Sequence, residues 1–171
     1  MVECQKCLDP TSLGLFMVAV VSLPLAVLML WNDPVLGVVP TANFFKLLGI
    51  MIIGVALLAY RSDSNFGFVV FALVGAAVAM TGYGMGPLEN ITFAIVFILA
   101  IIWSLLAKTP KVLSLILVTT ALIFLTVGLS DPSIIGGDYW HWIIGIVALF
   151  NFLFNIYLAY ALALENKLPI V

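Results

Sequence analysis

The residues with chemical capability in this 171-residue sequence are few and uncharged, and they lie inside long apolar runs. Thr119 and Thr120 are adjacent in one run, and Ser114 precedes them by about a turn and a half of helix. Asn151 and Asn155 share a later run at a spacing that places both on one face of a helix. Hydroxyls and amides donate and accept hydrogen bonds without carrying charge. The set therefore indicates either hydrogen bonds between neighbouring helices or polar contacts for a small solute.

Catalytic and ion-carrying groups are scarce where the chain is apolar. The sequence has a single histidine, and none of the long apolar runs contains Asp or Glu. A membrane enzyme needs convergent nucleophiles, acids or metal ligands. Ionisable groups at membrane depth cost about 2.5 to 3.5 kcal/mol and usually serve ion or proton pathways. We therefore expect no catalytic residue, no cofactor and no enzymatic activity, and the pattern argues against a carboxylate proton relay or a voltage sensor.

Two short motifs carry alternative chemistry. Cys4 and Cys7 have the C-x-x-C spacing of half a zinc site, but no second pair or histidine lies nearby in the sequence. We expect a reduced pair without metal, with a site shared between subunits as the alternative. His141 lies among aromatic residues in "DYWHWI", where packing at the membrane surface is favoured over pH sensing.

Composition places these groups in a membrane protein. Hydrophobic residues make up 65% of the chain and charged residues 8%, with a mean hydropathy of +1.31. Runs of roughly 17 to 25 apolar residues are long enough to cross a bilayer as helices. The sequence predicts an all-α membrane protein, a six-transmembrane-helix bundle, with an N-terminal segment at 1–12, a transmembrane domain at 13–164 and a tail at 165–171. The predicted spans are Leu13–Trp31, Phe44–Tyr60, Phe66–Tyr83, Ile91–Ala107, Val112–Leu129 and Tyr139–Leu164.

Lysine and arginine lie mostly on one side of the predicted topology. All of the basic residues except Lys46 fall on the side of the N-terminus, and Lys46 lies near the start of span two, where its side chain can reach the membrane surface. This asymmetry predicts cytoplasmic N- and C-termini for a multi-pass protein of a prokaryotic plasma membrane. The lipid bilayer is an expected partner, and no basic stretch indicates nucleic acid.

The third span carries a face of small residues. Ala72, Gly75, Ala76 and Ala79 recur at helical spacing, so a neighbouring helix can approach closely. Close packing explains this face, and space for a solute beside the helix is the alternative.

Three stretches resemble a known family. "DPTSLGLF" at 9–16 resembles the N-P-x-P-L-G-L signature that opens the first helix of the acetate uptake transporter family, the succinate–acetate permease-like proteins. "SNFGFVVFALVGA" at 64–76 is similar to the N-T-F-G-x-x-x-F-x-x-x-G start of that family's third helix. "NIYLAYALALENKLPIV" at 155–171 resembles its last helix and short tail with L-P-I. Order, spacing, span number and length agree over most of the chain.

The sequence also departs from the family pattern. The leading asparagine is Asp9, and the second proline of the signature is a serine. Family members narrow the pathway with a Phe, a Tyr and a Leu, and ungapped alignment places these positions on Val18, Val74 and Thr120. A glutamine typical of helix two falls on Ile52. The resemblance therefore implies a pathway whose selectivity differs.

The resemblance implies a homohexamer with a separate route through each protomer for acetate and similar small monocarboxylates. A route without fixed charge favours the neutral acid, or the acid with its proton, over a naked anion. The competing interpretations are a channel for urea or short amides and a membrane scaffold without a pathway. The scaffold predicts that the two threonines and two asparagines all end in hydrogen bonds between helices, with no tunnel beside them. The expected pathway residues are Leu13, Gly14, Val18, Asn65, Phe66, Val74, Thr119, Thr120, Asn151 and Asn155.

Overall fold

A computed structural model of the chain describes residues 10–31, 42–137 and 139–164. Each of the six predicted spans is a helix, long and apolar enough to cross a membrane. The terminal segments 1–9 and 165–171, with Cys4 and Cys7, lie outside the described residues. The helices are α1 (Thr11–Leu30), α2 (Ala42–Arg61), α3 (Asn65–Tyr83), α4 (Pro87–Leu106), α5 (Lys111–Leu129) and α6 (Trp140–Ala163).

Local turn chemistry explains where two of these helices begin. Ser64 precedes α3, and its side-chain oxygen accepts a hydrogen bond from the backbone N–H of Gly67, which satisfies one of the free donors at the helix start. Helix α4 begins at Pro87, earlier than predicted, because proline lacks the N–H that the first turn leaves unpaired. Asn90 lies inside this helix, one turn after its start, and donates from Nδ2 to the Gly86 carbonyl.

Helix pairs build the bundle. α2 packs along α3, α1 along α6 and α4 along α5, while α5 also contacts α6 and α1 reaches α2 and α3. The main buried cluster draws apolar side chains from all six helices. At its centre Phe97 of α4 is fully buried and stacks on Phe124 of α5, with ring centroids 5.6 Å apart. Most of the large exposed side chains are apolar, which suits helices whose outer faces contact lipid.

The small residues of α3 let α2 approach. A Cβ added at Gly75 would lie 2.8 Å from the Gly49 carbonyl oxygen, and one added at Gly82 would lie 2.7 Å from the Ala42 carbonyl oxygen. Any side chain at these positions would force the two backbones apart. The small face of α3 is therefore occupied by α2 at Gly75, and the close-packing interpretation is confirmed there.

Charged and aromatic side chains gather near the helix ends. The Lys46 ammonium lies 4.3 Å from the centroid of the Tyr83 ring, at the last residue of α3, in the arrangement of a cation over an aromatic face. At the start of α6 the His141 ring lies 5.5 Å from that of Trp142. The indole Nε1 of Trp140 donates to the Gly136 carbonyl. These contacts are consistent with aromatic packing at a membrane surface.

Candidate functional site: a buried polar cluster between α1, α5 and α6

Five uncharged polar side chains meet inside the bundle: Ser22 from α1, Thr119 and Thr120 from α5, and Asn151 and Asn155 from α6. We call this set the polar cluster. All five are buried, and the two asparagines are only 1% and 0% exposed. Four were predicted from the sequence as candidates, and the structure adds Ser22. A polar group placed this deep needs hydrogen-bond partners, so its bonding determines what it can do.

Asn151 is the centre of the polar cluster. Its Nδ2 donates to the hydroxyl oxygens of Thr119 at 2.8 Å and Thr120 at 2.9 Å. Its Oδ1 accepts from the Ser22 hydroxyl at 2.7 Å. One amide side chain thus joins α6 to α5 on one side and to α1 on the other. This is the interhelical role that the sequence offered as one of two interpretations.

The threonine hydroxyls use their own hydrogens on the backbone of α5. The Thr119 hydroxyl donates to the carbonyls of Leu115 and Ile116, both at 3.0 Å, and the Thr120 hydroxyl donates to the Ile116 carbonyl at 2.8 Å. Such bonds to the preceding turn are common for Ser and Thr inside helices. The hydroxyl oxygens are then left as acceptors, which is how each can receive an N–H of Asn151.

The amide nitrogen of Asn155 is hydrogen-bonded, whereas its amide oxygen has no partner among the described residues. Its Nδ2 donates to the backbone carbonyl oxygen of Asn151 at 2.8 Å and to Asn151 Oδ1 at 2.9 Å. Its Oδ1 is buried, and no donor among the described residues reaches it. Turning the amide over would set Oδ1 against those two oxygens, so the neighbouring atoms fix the orientation.

The polar cluster therefore has a defined hydrogen-bonding character. Each N–H and O–H of its five side chains has an acceptor within reach, and one acceptor, Asn155 Oδ1, has no donor among residues 10–31, 42–137 and 139–164. A buried acceptor without a partner costs about 1 to 3 kcal/mol. The site can receive an O–H or N–H donor at that atom, and its other polar atoms are already paired.

The three positions aligned with the family's narrow neck all lie in the interior. Val18 and Val74 are buried in the main apolar cluster, and Thr120 belongs to the polar cluster. The Ser22 hydroxyl lies 2.9 Å from the Val18 carbonyl oxygen, so Val18 is one helical turn from the polar cluster. Their role in a pathway stays a prediction.

The predicted residues at the starts of α1 and α3 lie apart from this bonding network. Leu13 and Asn65 are exposed, and Phe66 is partly buried with its ring 4.9 Å from that of Trp103. Gly14 is buried against the ring of Phe71, so its missing side chain lets α1 approach α3. These four positions remain candidates for a pathway mouth.

A second group of hydroxyls lies at the junction of α4 and α5. Ser104 is fully buried, and its hydroxyl lies 2.8 Å from that of Ser114 and 2.5 Å from that of Thr109. Ser114, which the sequence placed near the two threonines of α5, therefore bonds to α4 and does not join the polar cluster. These three side chains hold the short α4–α5 connection together.

Ser22 and Ser104 were missed because each is a single hydroxyl at its place in an apolar run, without a second polar residue inside the same run at helical spacing. A signal for Ser22 was nevertheless present. A hydroxyl in the middle of a span must find a partner on its own helix or on another one, and the sequence offers few other polar side chains.

Comparison with known proteins gives an informative structural likeness. No family model matches the sequence, and no curated protein matches it. Among solved structures, that of the bacterial acetate channel SatP is similar with a TM-score of 0.79 and 17% sequence identity, over 95% of this chain and 98% of that one. The likeness spans all six helices and confirms the predicted six-helix membrane fold.

Proposed function

We propose that this protein is a membrane channel or transporter for acetate and related small monocarboxylates. The observation that carries the proposal is the likeness of nearly the whole chain to a bacterial acetate channel. The three sequence stretches that resemble the acetate uptake transporter family point to the same function independently of the coordinates.

The chemistry of the interior supports this assignment. The buried described residues comprise aliphatic and phenylalanine side chains together with a small set of amides and hydroxyls, and no Lys, Arg, Asp or Glu is among them. Such surroundings suit a solute with a methyl end and a polar end, because the walls offer both kinds of contact. They do not suit tight binding of an anion, which would need a buried positive charge. Passage of a small acid is the activity that fits.

The proposal includes a cellular setting. The protein spans a prokaryotic plasma membrane with both termini in the cytoplasm, as the distribution of Lys and Arg suggests. It assembles as a homohexamer with one route per protomer, as the family resemblance implies. The pathway mouth uses Leu13, Gly14, Asn65 and Phe66, and the interior uses the polar cluster with Val18 and Val74.

Uptake of labelled acetate into proteoliposomes tests the function. Protein-free liposomes of the same lipid must be measured in parallel, because acetic acid crosses bilayers unaided. We expect uptake above this background, with competition by formate and propionate at similar excess. Uptake equal to that of protein-free liposomes would refute the function.

A channel for urea or short amides is the second candidate. The free oxygen of Asn155 would accept the N–H of an amide as readily as the O–H of an acid. Swelling of proteoliposomes in urea or acetamide, compared with acetate uptake, separates the two. A scaffold without a pathway would give neither swelling nor acetate uptake above background. Its expectation that the polar side chains all form hydrogen bonds between helices holds for Asn151, whereas no described donor reaches the Asn155 oxygen.

A further inference from the structure

The free oxygen of Asn155 suggests which form of the solute passes the polar cluster. We propose that Asn155 Oδ1 accepts a hydrogen bond from the O–H of a protonated carboxylic acid, so that the neutral acid is the species that occupies this point. The proposal rests on the proposed function and assigns the substrate form and the residue that selects it.

The hydrogen-bond donors of the polar cluster are all directed at oxygen atoms of the protein. Two N–H groups of Asn151 are directed at the threonine oxygens, and two N–H groups of Asn155 are directed at the oxygens of Asn151. The hydroxyls of Thr119 and Thr120 donate to backbone carbonyls, and that of Ser22 is divided between Asn151 and Val18. Every side-chain donor of these five described residues is therefore already directed at an oxygen of the protein, and none is left over for an approaching anion.

The carboxylate anion and the protonated acid differ in what they can offer to Asn155 Oδ1. A carboxylate carries only acceptor oxygens, and setting one beside Asn155 Oδ1 would bring two electron-rich oxygens together without a hydrogen between them. The protonated acid carries one O–H, which is the group that this acceptor lacks. Burial adds to the preference, because an apolar environment penalises the charged form of a carboxyl group.

The Asn155 side chain is held in one orientation. Its amide nitrogen is held by two oxygens of Asn151, so the side chain cannot turn to offer N–H to the solute without breaking both bonds. Asn155 is fully buried, and rotation toward bulk water is equally closed. The oxygen is therefore held as a fixed acceptor that no donor among the described residues reaches, and the O–H of a protonated acid supplies the group it can bind.

Replacement of the acceptor is the direct test. Asn155→Leu keeps a side chain of similar shape and removes the oxygen. We expect the protein-dependent part of acetate uptake to fall about three- to tenfold, the range that corresponds to one hydrogen bond. Thr126→Val is the matched control, because Thr126 is also buried and its hydroxyl bonds to carbonyls of its own helix, away from the polar cluster. The control is expected to transport like the wild type. Uptake by Asn155→Leu equal to that of the control would overturn the proposal.

A second measurement uses the wild-type protein alone. The pH is varied while total acetate is adjusted to hold the concentration of neutral acetic acid constant, so that only the concentration of the anion changes. We expect a constant protein-dependent rate. A rate that rises with the anion would overturn the proposal even if Asn155→Leu failed to fold.

The outcomes separate this proposal from the function on which it rests. Wild-type protein without acetate uptake refutes both. Wild-type uptake that follows the anion, or that is unchanged in Asn155→Leu, refutes only the role of Asn155 and leaves an acetate pathway.

Discussion

Replacing Asn151 with leucine should loosen the bundle, because one side chain holds α6 to both of its neighbours. The change removes two N–H bonds to the threonines of α5 and one bond accepted from Ser22 of α1. Hydrogen bonds between membrane helices contribute about 0.6 kcal/mol each on average, and about 1.7 at most. Three such bonds give an expected loss of about 2 kcal/mol in the free energy of unfolding.

The groups that lose Asn151 as a hydrogen-bond partner determine whether the loss in the free energy of unfolding exceeds this value. The Ser22 hydroxyl can turn fully to the Val18 carbonyl, and the threonine hydroxyls keep their bonds to the backbone of α5. Only one N–H of Asn155 loses its acceptor, since its second acceptor is a backbone oxygen that leucine retains. A buried unpaired donor adds about 1 to 3 kcal/mol. Burial of the leucine side chain offsets little of this loss in stability, because lipid surrounds the unfolded helix and is as apolar as the protein interior.

The assay is equilibrium unfolding in mixed micelles, with an increasing fraction of denaturing detergent, followed by circular dichroism. Asn155→Leu is the matched comparison, since it lies on the same face of α6 and its side-chain bonds stay within that helix. It loses those bonds and also removes the unpaired oxygen, so we expect a change within about 1 kcal/mol of zero. The reasoning fails if Asn151→Leu is as stable as the wild type, or if Asn155→Leu is the more damaging of the two.

Two further predictions concern positions outside the polar cluster. Gly75→Ala should lower the free energy of unfolding by about 1 to 3 kcal/mol, because the new methyl group would lie 2.8 Å from the Gly49 carbonyl oxygen. Gly54→Ala is the control, since its Cβ would meet nothing within 4 Å, and it should be neutral or slightly stabilising. Equal losses for the two variants in the same unfolding assay would contradict the packing account. Ser64→Ala should lower the free energy of unfolding by about 1 kcal/mol, since it removes the oxygen that accepts a hydrogen bond from the Gly67 N–H. Hydrogen exchange should become faster only in the first turn of α3.

Much of the fold was predictable from the sequence because the bilayer restricts the choice of structure. Apolar runs of spanning length must be helices in lipid, so all six were found. The helix ends were less well predicted, since α4 was expected to begin at Ile91 and begins at Pro87. The face shared by Asn151 and Asn155 followed from their spacing alone, and the structure bonds the two side chains to each other. Period and turn chemistry are local properties, which a sequence displays directly.

Which helices meet, and which atoms of a side chain are paired, depends on contacts that a sequence does not display. The sequence identified Thr119 and Thr120 as polar positions, but not that both receive N–H groups from Asn151 while Ser22 bonds the opposite end of the same amide. Nor could it distinguish the small face of α3 as a contact with α2 from a space for solute. These outcomes depend on the rotation of each helix about its axis, which is set by packing against neighbours.

The two asparagines illustrate how similar side chains can serve different purposes. A protein that needed only to join helices would gain from pairing every buried polar atom, and Asn151 meets that requirement on both sides. Within the described part of the chain, Asn155 makes no side-chain bond to another helix, and its oxygen has no donor. Leucine at that position would avoid the cost of about 1 to 3 kcal/mol that an unpaired acceptor carries. A buried asparagine that weakens the resting structure is best explained by a partner that arrives from outside, and a small acid carrying its own proton would supply the missing hydrogen.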